Sequence, residues 1–373
     1  MKEIKDILRA YHIANEAGKK TAIATVVKLE GSSYRQPGAR MLVTEDGEIT
    51  GAISGGCLEG DALRKALLAI NQQQNKLITY DTSNEDDIEF GVQLGCNGIV
   101  HILFEYIDSA KKNNPIQLLQ QLEKERKDAV VLTLFSQNRN SFQPGTILFG
   151  KNDATITIDS VYAILSSDSK KVLENKTSLI KEVEVDGSTY EALMEYIAPP
   201  ISLVVCGAGN DVKPLVEMAS ILGWEISIFD GRATHATAKR FPKATMVLIA
   251  KPEEVIKNVV VDERTFFVMM THNYKYDLAM LKLLVNTDCK YIGILGPKTK
   301  LNQMLDDLQD EDIILTNKQL DRIYGPVGLD IGAETAEEIA LSVVAEIRAV
   351  LGRNMGTSLK HKEGKIHTAT LVV

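Results

Sequence analysis

Beyond Pro199-Pro200 the chain repeats one pattern five times: a short apolar run followed by a segment long enough for a helix. The runs are "ISLVVCG", "EISIFD", "MVLIA", "TFFVMMT" and "YIGILG". Continuous apolar runs of this length belong to strands buried on both faces, as in a parallel sheet covered by helices. Five of them in alternation predict a Rossmann-like, doubly wound α/β domain. Two consecutive prolines stop both helix and central strand, so the boundary is placed there. At 373 residues the chain is also longer than one core organises comfortably. Two domains are expected, 1–198 and 199–373, the second with a short tail, "KIHTATLVV", that can add a strand to either.

The first domain reads as mixed α+β. Ile4, Ile7, Leu8 and Tyr11 mark one face of an opening helix that ends near Gly18. "TAIATVVKL" is a strand, and "RMLVT" and "GEITGAI" form a hairpin around Glu45-Asp46-Gly47. Leu63, Ala66, Leu67 and Ile70 then recur at helical spacing, and "KLITYD" and "GIVHILFEYI" return to strand. Between 110 and 198 the pattern thins, although "DAVVLTLFS" and "GTILFG" read as strands and "DSVYAILSSDSKKVLE" as a helix.

Several function classes fall away. A net charge of −8 argues against nucleic acid or an anionic membrane surface as the main partner. The N-terminus is interrupted by charges and reads as no signal peptide, and no run reaches the ~20 apolar residues of a membrane span. A cytoplasmic protein is expected. Four widely spaced cysteines, Cys57, Cys96, Cys206 and Cys289, suit neither a disulfide framework nor a zinc site. There is no G-x-S-x-G, and the six histidines lack metal-ligand spacing.

The chemistry is concentrated in glycine-rich loops. "VVCGAGNDV" sets Gly207 and Gly209 between a strand and a helix, where backbone N–H groups receive a phosphate. Asp230 closes the next strand, in the place of an acid that binds a ribose hydroxyl, and Arg232 beside it suits a phosphate on that ribose. Val212 stands where a third glycine would bring helix and strand together. His272, Gly296, Lys298, Lys300 and Asp330 follow the ends of later strands, the edge where open α/β sheets bind ligands. Glycine with lysine beside it suits an oxyanion. In the first domain "GAISGGCLEG" places Cys57 after Gly55-Gly56 and before a helix, whose N-terminus draws a thiol toward its reactive form. Cys96 in "LGCNG" is framed in the same way, which suggests a paired thiol site.

Taken together, "GSSYRQPGARMLV", "GAISGGCLEGD", "LGCNG", "VCGAGND", "FDGR", "THNYKYDLAML", "GILGPKTK" and "GLDIGAETAEEIALSVVAEI" resemble the XdhC/CoxI family. These are accessory proteins in the maturation of molybdenum hydroxylases of the xanthine dehydrogenase type. The resemblance implies a chain that binds the molybdenum cofactor (molybdopterin) and protects it while a cysteine desulfurase partner sulfurates the metal. Delivery to the apo-hydroxylase would follow. Cys57 and Cys96 would then contact the molybdenum, and the glycine loops would hold the pterin phosphate. Soft thiolates suit a thiophilic metal. A homodimer is the default assembly. Two other readings stay open: an NAD(P)-dependent oxidoreductase using Gly207, Gly209 and Asp230, and a thiol enzyme acting through Cys57.

Overall fold

The computed structural model describes all residues except 82–97, 112, 139–140, 152–153, 157–158, 364–370 and 373. The chain forms two compact units, Met1–Pro199 with His367–Val373, and Pro200–Ile366.

The first unit begins with α1 (Lys2–Glu16), β1 (Thr21–Gly31), β2 (Arg40–Thr44), β3 (Ile49–Gly51), α2 (Glu59–Gln72), β4 (Lys76–Asp81) and β5 (Gly98–Tyr106). The strands make an antiparallel sheet in the order β3-β2-β1-β5-β4. Side chains alternate across it, as a period of two demands. Ala22, Ala24 and Val26 of β1 pack with Ala62, Ala66 and Ala69 of α2, while Ile23 and Val27 point the other way. Small residues on both partners let this helix lie close to the sheet.

Next come α3 (Pro115–Lys124), β6 (Ala129–Phe135), β7 (Gly145–Lys151), β8 (Ala154–Ile156), α4 (Asp159–Asn175), β9 (Leu179–Val185) and β10 (Ser188–Ile197). They build a second antiparallel sheet, β9-β10-β6-β7-β8, whose edge is extended by Leu371–Val372 running parallel to β9. The inner faces of the two sheets meet through Val27, Leu77 and Leu103 against Phe135, Ile180 and Leu193. A buried ion pair crosses the same layer. Arg40, 1% exposed, gives two hydrogen bonds to Glu195 of β10, at 3.1 and 2.5 Å. Its pairing matters because a charge left alone there would cost several kcal/mol, about 3–5.

The second unit is the predicted Rossmann-like domain. Its elements are β11 (Ser202–Cys206), α5 (Val212–Ile221), β12 (Glu225–Asp230), β13 (Met246–Ile249), α6 (Pro252–Lys257), β14 (Thr265–Met269), α7 (Tyr274–Leu284), β15 (Tyr291–Ile294), α8 (Lys298–Asp310), α9 (Asn317–Leu320), β16 (Ile323–Tyr324) and α10 (Ala336–Leu351). All strands are parallel, in the order β13-β12-β11-β14-β15-β16. Numbered within the unit this is 3-2-1-4-5-6, with its switch point between β11 and β14. Leu203 and Val205 of β11 face α5 and α10, and Val204 and Cys206 face α6, α7 and α8. Burial on both faces is why β11, β14 and β15 read as unbroken apolar runs; β13, at the sheet edge, is only partly buried. Among the described residues, no helix is long and apolar enough to cross a membrane.

Candidate functional site

Two loop systems hold the residues singled out from sequence. In the first unit, the segment between β3 and α2 carries Cys57. One serine organises it. Ser54 Oγ accepts the N–H groups of Gly56 and Leu58, each at 3.1 Å, and donates to Glu59 Oε2. Glu59 Oε1 in turn accepts the Ser54 N–H at 2.9 Å. Burial opposes ionisation of Glu59, yet these bonds outweigh it and hold its carboxyl below the usual range. Cys57 Sγ lies 3.6 Å from Ser54 Oγ and is only partly buried. Gly56 has φ +110°, the left-handed region that glycine occupies without strain, and a Cβ there would meet nothing within 4 Å. Gly55 lies under the Tyr34 ring, 3.6 Å from its hypothetical Cβ, and that ring is itself exposed. The loop therefore presents a thiol beside bare backbone that faces open space. Cys96 falls outside the described residues.

In the second unit, the loops after β11, β12, β14, β15 and β16 share the carboxyl edge of the sheet. Gly207 is fixed by packing: at φ +125°, a Cβ would lie 2.2 Å from the Met270 carbonyl oxygen. This close approach ties the first loop to the end of β14 across the switch point. A Cβ on Gly209 would fall 2.2 Å from Asp211 Oδ1. Asp230 is 3% exposed and already has four donors. Its Oδ2 accepts the Ala208 N–H at 2.8 Å and Arg232 Nη2 at 2.6 Å. Its Oδ1 accepts the Arg232 N–H and Nε, at 2.8 and 2.9 Å. Burial works against the charge, but these bonds prevail and depress the Asp230 carboxyl. The acid expected to bind a ribose is thus occupied in shaping the glycine loop.

His272 sits at the end of β14 with φ +55°, unusual for a side chain with a Cβ. Its Nε2 is 2.8 Å from Asp211 Oδ2, so a carboxylate stands at the start of α5. Lys298 is exposed at the first position of α8. Lys300 is tied down: it donates to Asp277 Oδ2 at 2.6 Å and to the Leu295 carbonyl at 2.9 Å. Asp277, fully buried, also accepts from Thr271 Oγ1 at 2.6 Å. A Cβ on Gly296 would press on the Lys300 side chain at 2.8 Å. Asp330 is exposed, whereas Gly328 before it is pinned through its N–H to Glu346 Oε2 at 2.9 Å.

Sequence reasoning missed the residues that do the pinning. Arg240 gives Nη1 to the carbonyls of Ala208 and His235, at 2.7 and 2.9 Å, and Nη2 to Asn210 Oδ1 at 2.9 Å. Asp211, Asp277 and Glu346 complete the set. Their signal was weak because the partners that tie loop to loop lie far away in sequence, 32 residues for Arg240 and Ala208, 61 for Asp211 and His272 and 23 for Asp277 and Lys300. Among the described residues, no group of three His, Cys, Asp or Glu could hold a metal ion.

Fold and loops together define a two-unit protein with a parallel-sheet ligand edge in one unit and a glycine-framed thiol in the other. Residues 203–347 match the family model described as the XdhC Rossmann domain, and residues 14–81 match that of the XdhC and CoxI family. The chain is 30% identical over 332 residues to a protein of Bacillus subtilis named as a probable xanthine dehydrogenase subunit, covering 89% of this chain and 93% of that protein. It therefore belongs to the XdhC/CoxI family. It is also 22% identical over 346 residues to the "Molybdenum cofactor insertion chaperone PaoD" of Escherichia coli, covering 93% and 88% of the two chains. A crystal structure of a xanthine dehydrogenase from Bacillus halodurans superposes with a TM-score of 0.74, at 28% identity, over 96% of this chain and 98% of that one.

Proposed function

We propose that this protein is an accessory factor that binds the molybdenum cofactor and assists its sulfuration and insertion into a hydroxylase of the xanthine dehydrogenase type. The names of its relatives, one a probable subunit of xanthine dehydrogenase and the other a molybdenum cofactor insertion chaperone, support that role. The observation that carries it is the Cys57 loop: a partly exposed thiol beside backbone that opens onto free space. Soft thiol donors without a full ligand cage suit a metal that arrives with its own dithiolene ligands. The described residues offer no cage. In this reading Cys57 and Cys96 are the candidate metal contacts, and the loops at Gly207, Gly209, Arg232, His272, Gly296, Lys298 and Asp330 are the candidate phosphate contacts. The partners are the apo-hydroxylase and a cysteine desulfurase, with a second copy of the chain as the default assembly. Hydride transfer with NAD(P) is less well supported, because Asp230 already has its donors and the Asp211 carboxylate stands at the start of α5.

The test is molybdenum and pterin content per chain after anaerobic purification from a cofactor-replete host, for wild type, Cys57→Ala and Cys57→Ala/Cys96→Ala. Retention by the wild type and loss in the variants is expected. Absence of both from the wild type, with NAD(P) bound instead, would overturn the reading.

A further inference from the structure

Resting on the phosphate-holding role proposed for the second unit, we infer that Arg232 and Arg240 form one phosphomonoester site on the loop after β12. It takes a terminal phosphate in preference to a bridging diphosphate. Residues 231–250 contain four Lys or Arg and no acid, in a chain whose net charge is −8. Such an island concentrates anions at one edge of an otherwise repelling surface.

The two guanidinium groups are held at opposite ends of one residue. Arg240 Nη1 donates to the Ala208 carbonyl, and Arg232 reaches the Ala208 N–H through the Asp230 carboxylate that both contact. Arg232 uses Nε and Nη2 in that pair. Its Nη1 has no hydrogen-bond partner among the described residues, and the side chain is 47% exposed. Arg240 uses Nη1 and one Nη2 bond, and its Nε has no partner among the described residues. Both planar donors are thus preset by their inner bonds while outer N–H groups stay available, the arrangement that favours forked recognition of a phosphate.

A bridging diphosphate meets a different surface. It would need the bare N-terminus of α5, where Asp211 holds a carboxylate against His272. The ribose beyond it would need an acceptor at Asp230, which could be freed only by releasing Arg232. A compact dianion on the outer side of Arg232 and Arg240 leaves both pairs in place, and meets the Asp211 carboxylate only as a neighbour of Arg232.

The experiment is calorimetric titration of the full chain with inorganic phosphate, NADP⁺ and NAD⁺, on wild type, Arg240→Gln, Arg232→Gln and Lys251→Gln. Removing one guanidinium contact should weaken phosphate binding about tenfold or more, while Lys251→Gln changes it less than about twofold. NAD⁺, which has no monoester, should not displace phosphate. Arg232 also neutralises buried Asp230, so Arg240→Gln decides the matter, its melting temperature compared with wild type to separate a lost phosphate contact from a loosened glycine loop. If NADP⁺ binds far more tightly than phosphate and NAD⁺ does not compete, the site stands with a nucleotide as source. If NADP⁺ binds no better than phosphate, it stands with a pterin-type monoester as source. Undiminished phosphate binding by folded Arg240→Gln, displacement by NAD⁺, or no phosphate binding at about 10 mM would overturn it. Molybdenum retention is scored separately: retention without the phosphate site sinks only this inference, and the reverse sinks only the proposed function.

Discussion

Lys300→Met should destabilise the second unit by about 3 kcal/mol. The lysine looks like a free cation in "GPKTK", but its ammonium is 2.6 Å from Asp277 Oδ2, and that carboxylate is fully buried. Methionine nearly preserves the volume, so the substitution leaves a buried charge whose remaining side-chain donor among the described residues is the Thr271 hydroxyl at 2.6 Å. Breaking such a pair costs about 3–5 kcal/mol. The lower end applies because Lys300 is 19% exposed and water can reach its side. Trp224, the only tryptophan, is 8% exposed in the core shared by α5 and α10, so its fluorescence reports this unit. In urea the midpoint should fall, and the melting temperature should drop by about 6–12 °C. Adding Asp277→Asn to Lys300→Met removes the orphaned charge and should recover about half the loss or more. A single-variant loss below about 1 kcal/mol, or no recovery in the double variant, would refute the pairing and return Lys300 to the surface.

Gly207→Ala should cost more than about 3 kcal/mol by the same fluorescence assay, since its Cβ falls 2.2 Å from the Met270 carbonyl oxygen. A near-wild-type midpoint would mean that the β11 loop is free to move. The Glu59 carboxyl is depressed in the folded state, so its contribution is present above about pH 4.5 and is lost as pH falls through the folded value. Glu59→Gln should flatten that acid limb in urea titrations followed by circular dichroism, and an unchanged limb would count against the Ser54–Glu59 frame. Iodoacetamide followed by peptide mass mapping should modify Cys57 in the native protein but reach Cys206 and Cys289, both buried and with thiols pushed up by burial, only after unfolding. Gly60→Ala, in the first turn of α2, should leave stability unchanged or raise it by up to about 1 kcal/mol, because its Cβ meets nothing within 4 Å. A loss of stability there would reveal a hidden packing demand.

The Rossmann-like unit was readable because strands buried on both faces produce unbroken apolar runs. β16 escaped because two residues, Ile323 and Tyr324, carry no period. In the first unit the β9–β10 hairpin did have a signal: Asp186-Gly187, both at positive φ, joins the alternating "LIKEVEV" to the next strand. Asn114-Pro115 similarly announced α3, with the Asn114 side chain capping the Gln117 N–H. The site was legible by residue type and not by partner. Arg232 and Asp230 are two residues apart, and their pairing could be suspected locally. Lys300 and Asp277, or Arg240 and Ala208, meet only because the sheet brings strand ends together.

That distinction also sorts the glycines, which sequence alone could treat only as one class. At Gly207 and Gly328 a Cβ would strike the Met270 carbonyl and the Ser342 hydroxyl, 2.2 and 2.3 Å away. Protein packing by itself requires glycine at these two, with no ligand in the argument. Gly56 and Gly60 differ, since a Cβ on either would enter open space. Gly56 is accounted for by its left-handed backbone, but Gly60 is not: it lies in a helix, where glycine is about 1 kcal/mol worse than alanine. Neither a neighbour nor a backbone angle explains bare backbone in the first turn of α2, three residues from a partly exposed thiol. Close approach by a bound group would explain it. The packing that accounts for Gly207 without a ligand therefore leaves the start of α2, beside Cys57, as one place where glycine still asks for one; Gly231, with no positive φ and no neighbour closer than 4.0 Å, is another.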